Sequence, residues 1–281
     1  MNLSGLCSLV LAATIFLTSP LATAAEPLSS PWVEAHGARA RLIAGQAQAD
    51  STGQARLFAG VEIQLEPGWK TYWRTPGDSG GLPPEFDWSR SRNVVAPKVL
   101  YPAPRRFKDA IGDTVGYSGA VVFPVEIRRE NDSAPTVLHL SLLYGICREI
   151  CIPAEAELTL TIPAETTVPS SSQITAALAA VPRSERRAED PELVSREARL
   201  GAQPPKLVLE ALFPDAADSA DMFIEASNGA YVPLPVRTGG QGDKVRFEVG
   251  LSDALDELRG ATLRITMVSD RGQSEATWVL Q

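Results

Sequence analysis

Cysteine is nearly absent from this sequence: three residues in a chain of 281, beside two histidines and three methionines. A fold stapled by a disulfide framework is thereby excluded, and little material is left for a metal site. Basic charge is also in short supply. With 26 Lys and Arg against 34 Asp and Glu, the formal net charge is −8 and the pI near 5.0. That balance argues against nucleic acid and against a polybasic contact with a membrane. Beyond the first residues no run is long and apolar enough to span a bilayer. What is plentiful is proline and glycine, 22 and 21 residues, which mark the many turns of an all-β chain. The length accommodates one large domain or two small ones.

Residues 1–25 read as a secretory signal. An apolar core from Leu9 to Leu17 precedes PLATAAEP, whose Ala22, Ala24 and Ala25 suit signal peptidase. No Lys or Arg precedes the core, but it is shorter than the ~20 residues a membrane anchor needs. Cys7 lies ahead of the core and so is not placed as a lipid attachment site. The expectation is a mature chain beginning near Ala25 or Glu26, exported to an oxidising space, with Cys147 and Cys151 as its cysteines.

Residues 26–163 read as a first β-domain. In QARLFAGVEIQLEPGW, Leu57, Ala59, Val61, Ile63 and Leu65 alternate with Arg56, Phe58, Gly60, Glu62 and Gln64, a half-buried strand stopped by Pro67-Gly68. AVVFPVEIR alternates similarly, and its Pro124 predicts an edge or a bulge. TVLHLSLLYG puts Leu138, Leu140, Leu142 and Tyr144 on one face, and ELTLTI closes with Leu158, Leu160 and Ile162. Short strands separated by turn signals predict a β-sandwich. Trp69, Tyr72, Trp73 and Trp88 read as packing residues rather than a carbohydrate platform.

Residues 164–205 differ: SSSQITAALAAVP predicts a short Ser-capped helix with Ile174, Leu178 and Val181 on one stripe, and the charged stretch after it reads as an exposed linker. Residues 206–281 offer six strand-like runs, KLVLEALF, DMFIEAS, YVPLPVR, KVRFEVGL, ATLRITMVS and SEATWVLQ, hence a second, smaller β-domain without a motif that carries chemistry.

The chemistry concentrates in YGICREICIPAEAEL. Cys147 follows one strand and Cys151 precedes the next, so the pair occupies a hairpin turn. Fully extended, the two Cα atoms would lie roughly 13 Å apart; a disulfide needs less than about 7 Å, so CREIC must curl into a helical or looped turn. As a staple such a short ring contributes only about 2 kcal/mol. A redox pair, with Arg148 favouring the thiolate, is the alternative. A metal site would need two further ligands, and His36 and His139 read as surface or satisfied strand residues. Spacing alone leaves these readings open.

The flanks carry a resemblance. YGICREICIPAEAELTL, together with PGWKTYWRTPGDSGGLPPEFDW and YPAPRRFKDAIGDTVGYSGAVVFPVEI, is similar to the N-terminal periplasmic domain of the DsbD thiol:disulfide interchange family over roughly residues 30–165. It is closer still to the related region of ScsB, a protein linked to copper tolerance. The matching positions are Tyr144, Cys147, Cys151, Ile152, Pro153 and Glu155. The resemblance implies an immunoglobulin-like sandwich whose pair passes electrons by thiol–disulfide exchange without a cofactor or metal. Its implied partners are a thioredoxin-fold periplasmic protein and a separate membrane electron donor of the DsbD/ScsB type. Cys151 would hold the mixed disulfide and Cys147 resolve it. Three residues separate the cysteines here against five in DsbD. The family's cover over the pair corresponds to RRFKDAIGDTVGY, so Phe107, Asp109 and Tyr117 are its candidates. The rival functions are Cu(I) binding through the two thiolates and a structural module with an inert disulfide.

Overall fold

The computed structural model describes residues 28–48, 55–109, 112–164, 168–252 and 254–281. The signal segment and Cys7 lie outside the described residues. Two antiparallel sheets face each other in the first domain, built from twelve strands. In chain order these are β1 (Leu28–Ser29), β2 (Val33–Ala35), β3 (Ala38–Gln48), β4 (Ala55–Leu65), β5 (Lys70–Gly77) and β6 (Glu85–Asp87). They continue with β7 (Lys98–Val99), β8 (Arg105–Phe107), β9 (Thr114–Ser118), β10 (Ala120–Glu126), β11 (Thr136–Cys147) and β12 (Cys151–Ile162). One sheet runs β1-β3-β4-β10-β7 with β2 on β3; the other runs β12-β11-β5-β9-β8 with β6 on β11.

Period-two alternation builds this immunoglobulin-like sandwich. Leu138, Leu140, Leu142 and Tyr144 of β11 and Ala156, Leu158, Leu160 and Ile162 of β12 face inward against Leu42, Val61, Ile63 and Phe123. Pro124 sits where its missing N–H does no harm. Its carbonyl accepts from Leu100 on the β7 side, so its nitrogen faces that side too, and β7 pairs β10 only at Val125 and Glu126. Trp69, Trp73 and Tyr72 are buried, and Trp88 packs half-buried against the core, as the packing reading requires.

The helix α1 (Ser172–Ala179) is capped by Ser171, whose Oγ accepts from the Ile174 N–H at 3.2 Å. Ile174 seals Ile43 and Phe58 on the outer face of the first sheet, which explains why Phe58 is buried on the face that alternation assigns to solvent.

The second domain also consists of two sheets, one of four strands and one of three. Its strands are β13 (Glu192–Arg199), β14 (Lys206–Leu212), β15 (Asp221–Ala226), β16 (Val236–Gln241), β17 (Lys244–Gly250), β18 (Thr262–Val268) and β19 (Gln273–Val279). Their core gathers Leu207, Leu209, Phe213, Phe247, Leu263 and Ile265. Two expectations change here. The charged linker contains β13, which pairs β14 from Glu192↔Leu212 to Arg199↔Lys206; its outer residues are charged and exposed, so only Leu193 and Ala198 show packing. Of YVPLPVR, only Val236 and Arg237 enter a strand. Leu234 instead packs into the first domain's core.

Candidate redox site

β11 and β12 stay in register from Thr136↔Ile162 to Cys147↔Cys151, so the cysteines form the last rung of the hairpin. Their Cα atoms are 4.1 Å apart and their sulfurs are bonded. Arg148, Glu149 and Ile150 close the turn, with the Arg148 N–H donating to the Ile150 carbonyl at 3.2 Å. Alternation along β12 leaves Cys151, Pro153, Glu155 and Glu157 outward and exposed, whereas Cys147 is half-buried.

Three segments from elsewhere in the chain meet this rung. β5 joins β11 at Ile146↔Thr71 and Cys147↔Lys70, and the Thr71 hydroxyl donates to the Gly145 carbonyl at 2.8 Å. Lys70 is thus the cross-strand partner of Cys147, a pairing that puts both side chains on one face. Two residues on, the Tyr72 hydroxyl donates to Cys151 Sγ at 3.0 Å. Its ring can cross β11 only because Gly145 has no side chain: a Cβ there would lie 2.8 Å from the ring and from the Leu82 carbonyl. A Cβ on Gly81 would overlap the other side of the same ring, so the Gly77–Leu82 segment closes over Tyr72 from above.

The third segment is β8 and the residues after it. Lys70 Nζ stands 5.3 Å from the centroid of the Phe107 ring and donates to Asp109 Oδ1 and Oδ2 at 2.6 and 2.8 Å. Thr114 Oγ1 donates to Asp109 Oδ2 at 2.7 Å. The Lys70 hydrogen bond, and after it that of Thr114, holds the Asp109 carboxyl below its ordinary range. Burial, and then the Asp109 charge, pushes the Tyr72 phenol up. Tyr72 therefore stays protonated at neutral pH and keeps its proton available to sulfur.

Of the residues singled out from the sequence, Cys147, Cys151, Phe107 and Asp109 come together with Lys70. Pro153 and Glu155 share the exposed face of β12 with Cys151. Tyr117 is a correction: it points into the core, 7% exposed, and its hydroxyl donates to the Pro102 carbonyl at 2.8 Å, so it covers nothing. Alternation on β9 sends Val115 and Tyr117 inward and leaves Gly116 facing β5. Tyr144 is likewise buried in the core, its hydroxyl without a hydrogen-bond partner and its pKa pushed up to about 12, chiefly by burial. Arg148 is a second correction, because its guanidinium lies 5.3 Å from the Trp69 ring centroid rather than on a sulfur. Sequence reasoning missed Tyr72 and Lys70 as site residues. KTYW places both on one face of a strand, but nothing in the sequence pairs that strand with β11.

His139 bonds Glu157 and Thr159 on the outer face, a satisfied strand histidine. Among the described residues no three His, Cys, Asp or Glu side chains gather as a metal-ligand set, and no helix is long and apolar enough to cross a membrane.

Fold and site together define a β-protein that presents a hairpin disulfide at the rim of an immunoglobulin-like sandwich. Residues 39–163 match the family model described as the N-terminal domain of the thiol:disulfide interchange protein DsbD. Among solved structures, the N-terminal periplasmic domain of ScsB from Proteus mirabilis is similar, with a TM-score of 0.69 at 23% identity, covering 91% of this chain and 99% of that one. The likeness of fold thus extends through the second domain. The comparison with curated proteins gave no match.

Proposed function

We propose that the chain is an exported, periplasmic protein that passes electrons through the Cys147–Cys151 pair. The observation that carries the reading is the exposed Cys151 sulfur receiving a hydrogen bond from the buried Tyr72 hydroxyl at 3.0 Å, within the stretch that matches the DsbD N-terminal family model. A hydroxyl aimed at sulfur stabilises the thiolate, which is the reactive form in exchange.

In the reduced protein the Cys151 thiolate attacks one sulfur of a partner's disulfide. A mixed disulfide forms and the partner's other sulfur leaves as a thiolate. The Cys147 thiolate then attacks Cys151 Sγ, the Cys147–Cys151 bond closes, and the partner's second sulfur is released. Two electrons move to the partner, and the two protons lost by the cysteines are matched by two taken up on the partner's sulfurs. The unequal exposure of the cysteines supports Cys151 as the attacking sulfur and Cys147 as the resolving one. Lys70, opposite Cys147, favours the Cys147 thiolate when the pair is opened by its own reductant. The acceptor is a thioredoxin-fold periplasmic protein, and the donor a membrane protein of the DsbD/ScsB type. Phe107, Asp109 and Lys70 shelter the Cys147 side of the bond.

Equilibrating the mature protein with glutathione and trapping free thiols by alkylation tests this reading. A reduction potential between about −180 and −270 mV is the expected result, since exchange-competent couples lie there. A value below about −300 mV would mark an inert structural bond and overturn it.

A further inference from the structure

The second domain touches the first at the segments that surround the disulfide. The Tyr231 hydroxyl donates to Asp78 Oδ1 at 2.6 Å, and the Leu234 N–H donates to the same oxygen at 3.1 Å. Asp78 begins the stretch that closes over Tyr72, and that stretch is tied at its other end where the Gly145 N–H donates to the Leu82 carbonyl at 2.9 Å. On β5, two residues beyond Tyr72, Arg74 Nε donates to both Glu225 oxygens at 2.8 Å and the Thr75 hydroxyl donates to Glu225 at 3.1 Å. Beside them the Trp73 and Phe223 rings meet with centroids 5.7 Å apart. On β8, Arg106 donates to Asp221 at 2.7 and 3.0 Å and to the Pro235 carbonyl at 3.0 Å, one residue before Phe107.

These pairs are sheltered: Arg74 and Glu225 are 18% and 17% exposed, Arg106 and Asp221 16% and 25%. Sheltered, multiply bonded charges hold geometry more firmly than surface pairs do. A seam built only to join two domains has no need to fall on β5, β8 and the Gly77–Leu82 segment at once. Together these three bear the residues of the site described above: Tyr72 and Lys70 on β5, Phe107 on β8 with Asp109 just after it, and Gly81 against the Tyr72 ring.

We propose that the second β-domain sets the reactivity of Cys151, with Tyr231 and Glu225 acting as positioning residues that hold Tyr72 against the sulfur. The proposal deepens the exchange reading above and rests on it for its biological meaning, but its physical content concerns the Cys151 thiol alone. Loosening Asp78 frees the lid over Tyr72, the ring wanders, and its hydroxyl spends less time on Sγ. The thiolate then loses a hydrogen bond and the thiol pKa rises.

The test uses the full mature chain carrying Cys147→Ser, which leaves a single thiol at position 151. The rate of its alkylation by iodoacetamide is followed against pH. The midpoint reads thiolate stabilisation, and the high-pH plateau reads access. Tyr231→Phe, which removes one hydroxyl from an exposed side chain, is expected to move the midpoint upward by about half a unit or more. Glu225→Gln is expected to act in the same direction. In a Tyr72→Phe background the Tyr231→Phe shift should vanish. Phe247→Leu, placed in the second domain's own core, should lower Tm and leave the midpoint where it was. An unmoved midpoint in Tyr231→Phe and Glu225→Gln, or a shift of equal size without the Tyr72 hydroxyl, overturns the proposal. Should the wild-type couple resist glutathione while the Tyr231→Phe shift persists, the exchange reading fails and the coupling of the second domain to Cys151 stands.

Discussion

In the first domain a Cβ at Gly145 would press on the Tyr72 ring at 2.8 Å, whereas in the second a Cβ at Gly242 or Gly250 would meet nothing within 4 Å. Both domains are two-sheet β-structures with apolar cores, yet they use glycine differently. In the second, glycine at these positions serves the turns and ends of strands. In the first, at Gly81 and Gly145, it lets a large aromatic ring pass through the backbone to reach a sulfur. Close approach of backbone to the Tyr72 ring at these two glycines marks the disulfide end of the first domain. The difference stops at the seam, because Phe223 and Leu234 of the second domain belong to the first domain's core.

Phe223→Ala strikes that shared point and has the largest expected effect, about 3–5 kcal/mol for a buried phenylalanine. Because Phe223 is 2% exposed and packs on Trp73, both domains should lose stability in one transition. Urea unfolding followed by tryptophan fluorescence, with the first domain reported by Trp32, Trp69, Trp73 and Trp88 and, in a variant lacking those four, the second by Trp278, checks this. Two separated transitions, with only the second displaced, would show the domains to be independent and break the link.

How much of this was legible beforehand follows from range along the chain. The cysteine hairpin could be read because β11 and β12 are adjacent in sequence and their alternation fixes which residues share a rung. The Tyr72 hydroxyl and Cys151 sulfur are 79 positions apart, and no local pattern predicts that β5 lies beside the end of β11. Tyr117 misled for a related reason: its place in the cover-like stretch RRFKDAIGDTVGY says nothing about face, which β9's alternation turns inward. β13 escaped because ELVSREAR carries its charges outward and packs only through Leu193 and Ala198. The ion pairs of Arg74 and Arg106 with the second domain were invisible, since complementary charges more than a hundred residues apart carry no spacing signal.

Gly145→Ala sharpens the glycine contrast. The added methyl must displace either the Leu82 carbonyl or the Tyr72 ring, and overpacking of this kind costs about 1–3 kcal/mol. Gly250→Ala, at an exposed site in open space, should change stability by less than ~0.5 kcal/mol. Thermal or urea denaturation of the two variants decides the matter, and equal losses would remove the distinction. The Gly145 variant should in addition shift the disulfide's reduction potential, because Tyr72 is moved off Cys151.

Tyr72→Phe isolates the hydroxyl from the ring. A hydrogen bond to a charged group contributes about 1.5–3 kcal/mol, and 1.36 kcal/mol corresponds to one pKa unit. The Cys151 thiol in a Cys147→Ser background should therefore titrate about one to two units higher without the phenol. Thiolate absorbance in the ultraviolet against pH gives the value. A shift below about 0.3 units would mean that the hydroxyl contact is packing alone, despite its placement at 3.0 Å.

The smallest expected effect compares two ion pairs, one in each domain. The carboxyls of Asp109 and Glu210 both lie below their ordinary values of 3.8 and 4.5, held by hydrogen bonds from Lys70 and Thr114 in the first case and from Arg246 in the second. The sign is the same for both: the stabilisation is complete above the ordinary value and disappears as pH falls through the depressed one. Their cations differ in shelter, Lys70 being 14% exposed and Arg246 52%, whereas the carboxylates run the other way, Asp109 at 34% and Glu210 at 21%. At ~1 M salt, where the Debye length is about 3 Å, the pair whose cation is exposed is screened more than the pair whose cation is sheltered. Carboxyl-carbon NMR titrations at low and high salt should then show Glu210 returning toward 4.5 while Asp109 stays below 3.8. If Asp109 also returns, the Lys70–Asp109 pair is an ordinary surface contact. If it stays low, the carboxylate holds the Lys70 ammonium beside the Phe107 ring throughout the pH range of exchange. Asp109→Asn should then change the potential of the disulfide while leaving the second domain's stability unaltered.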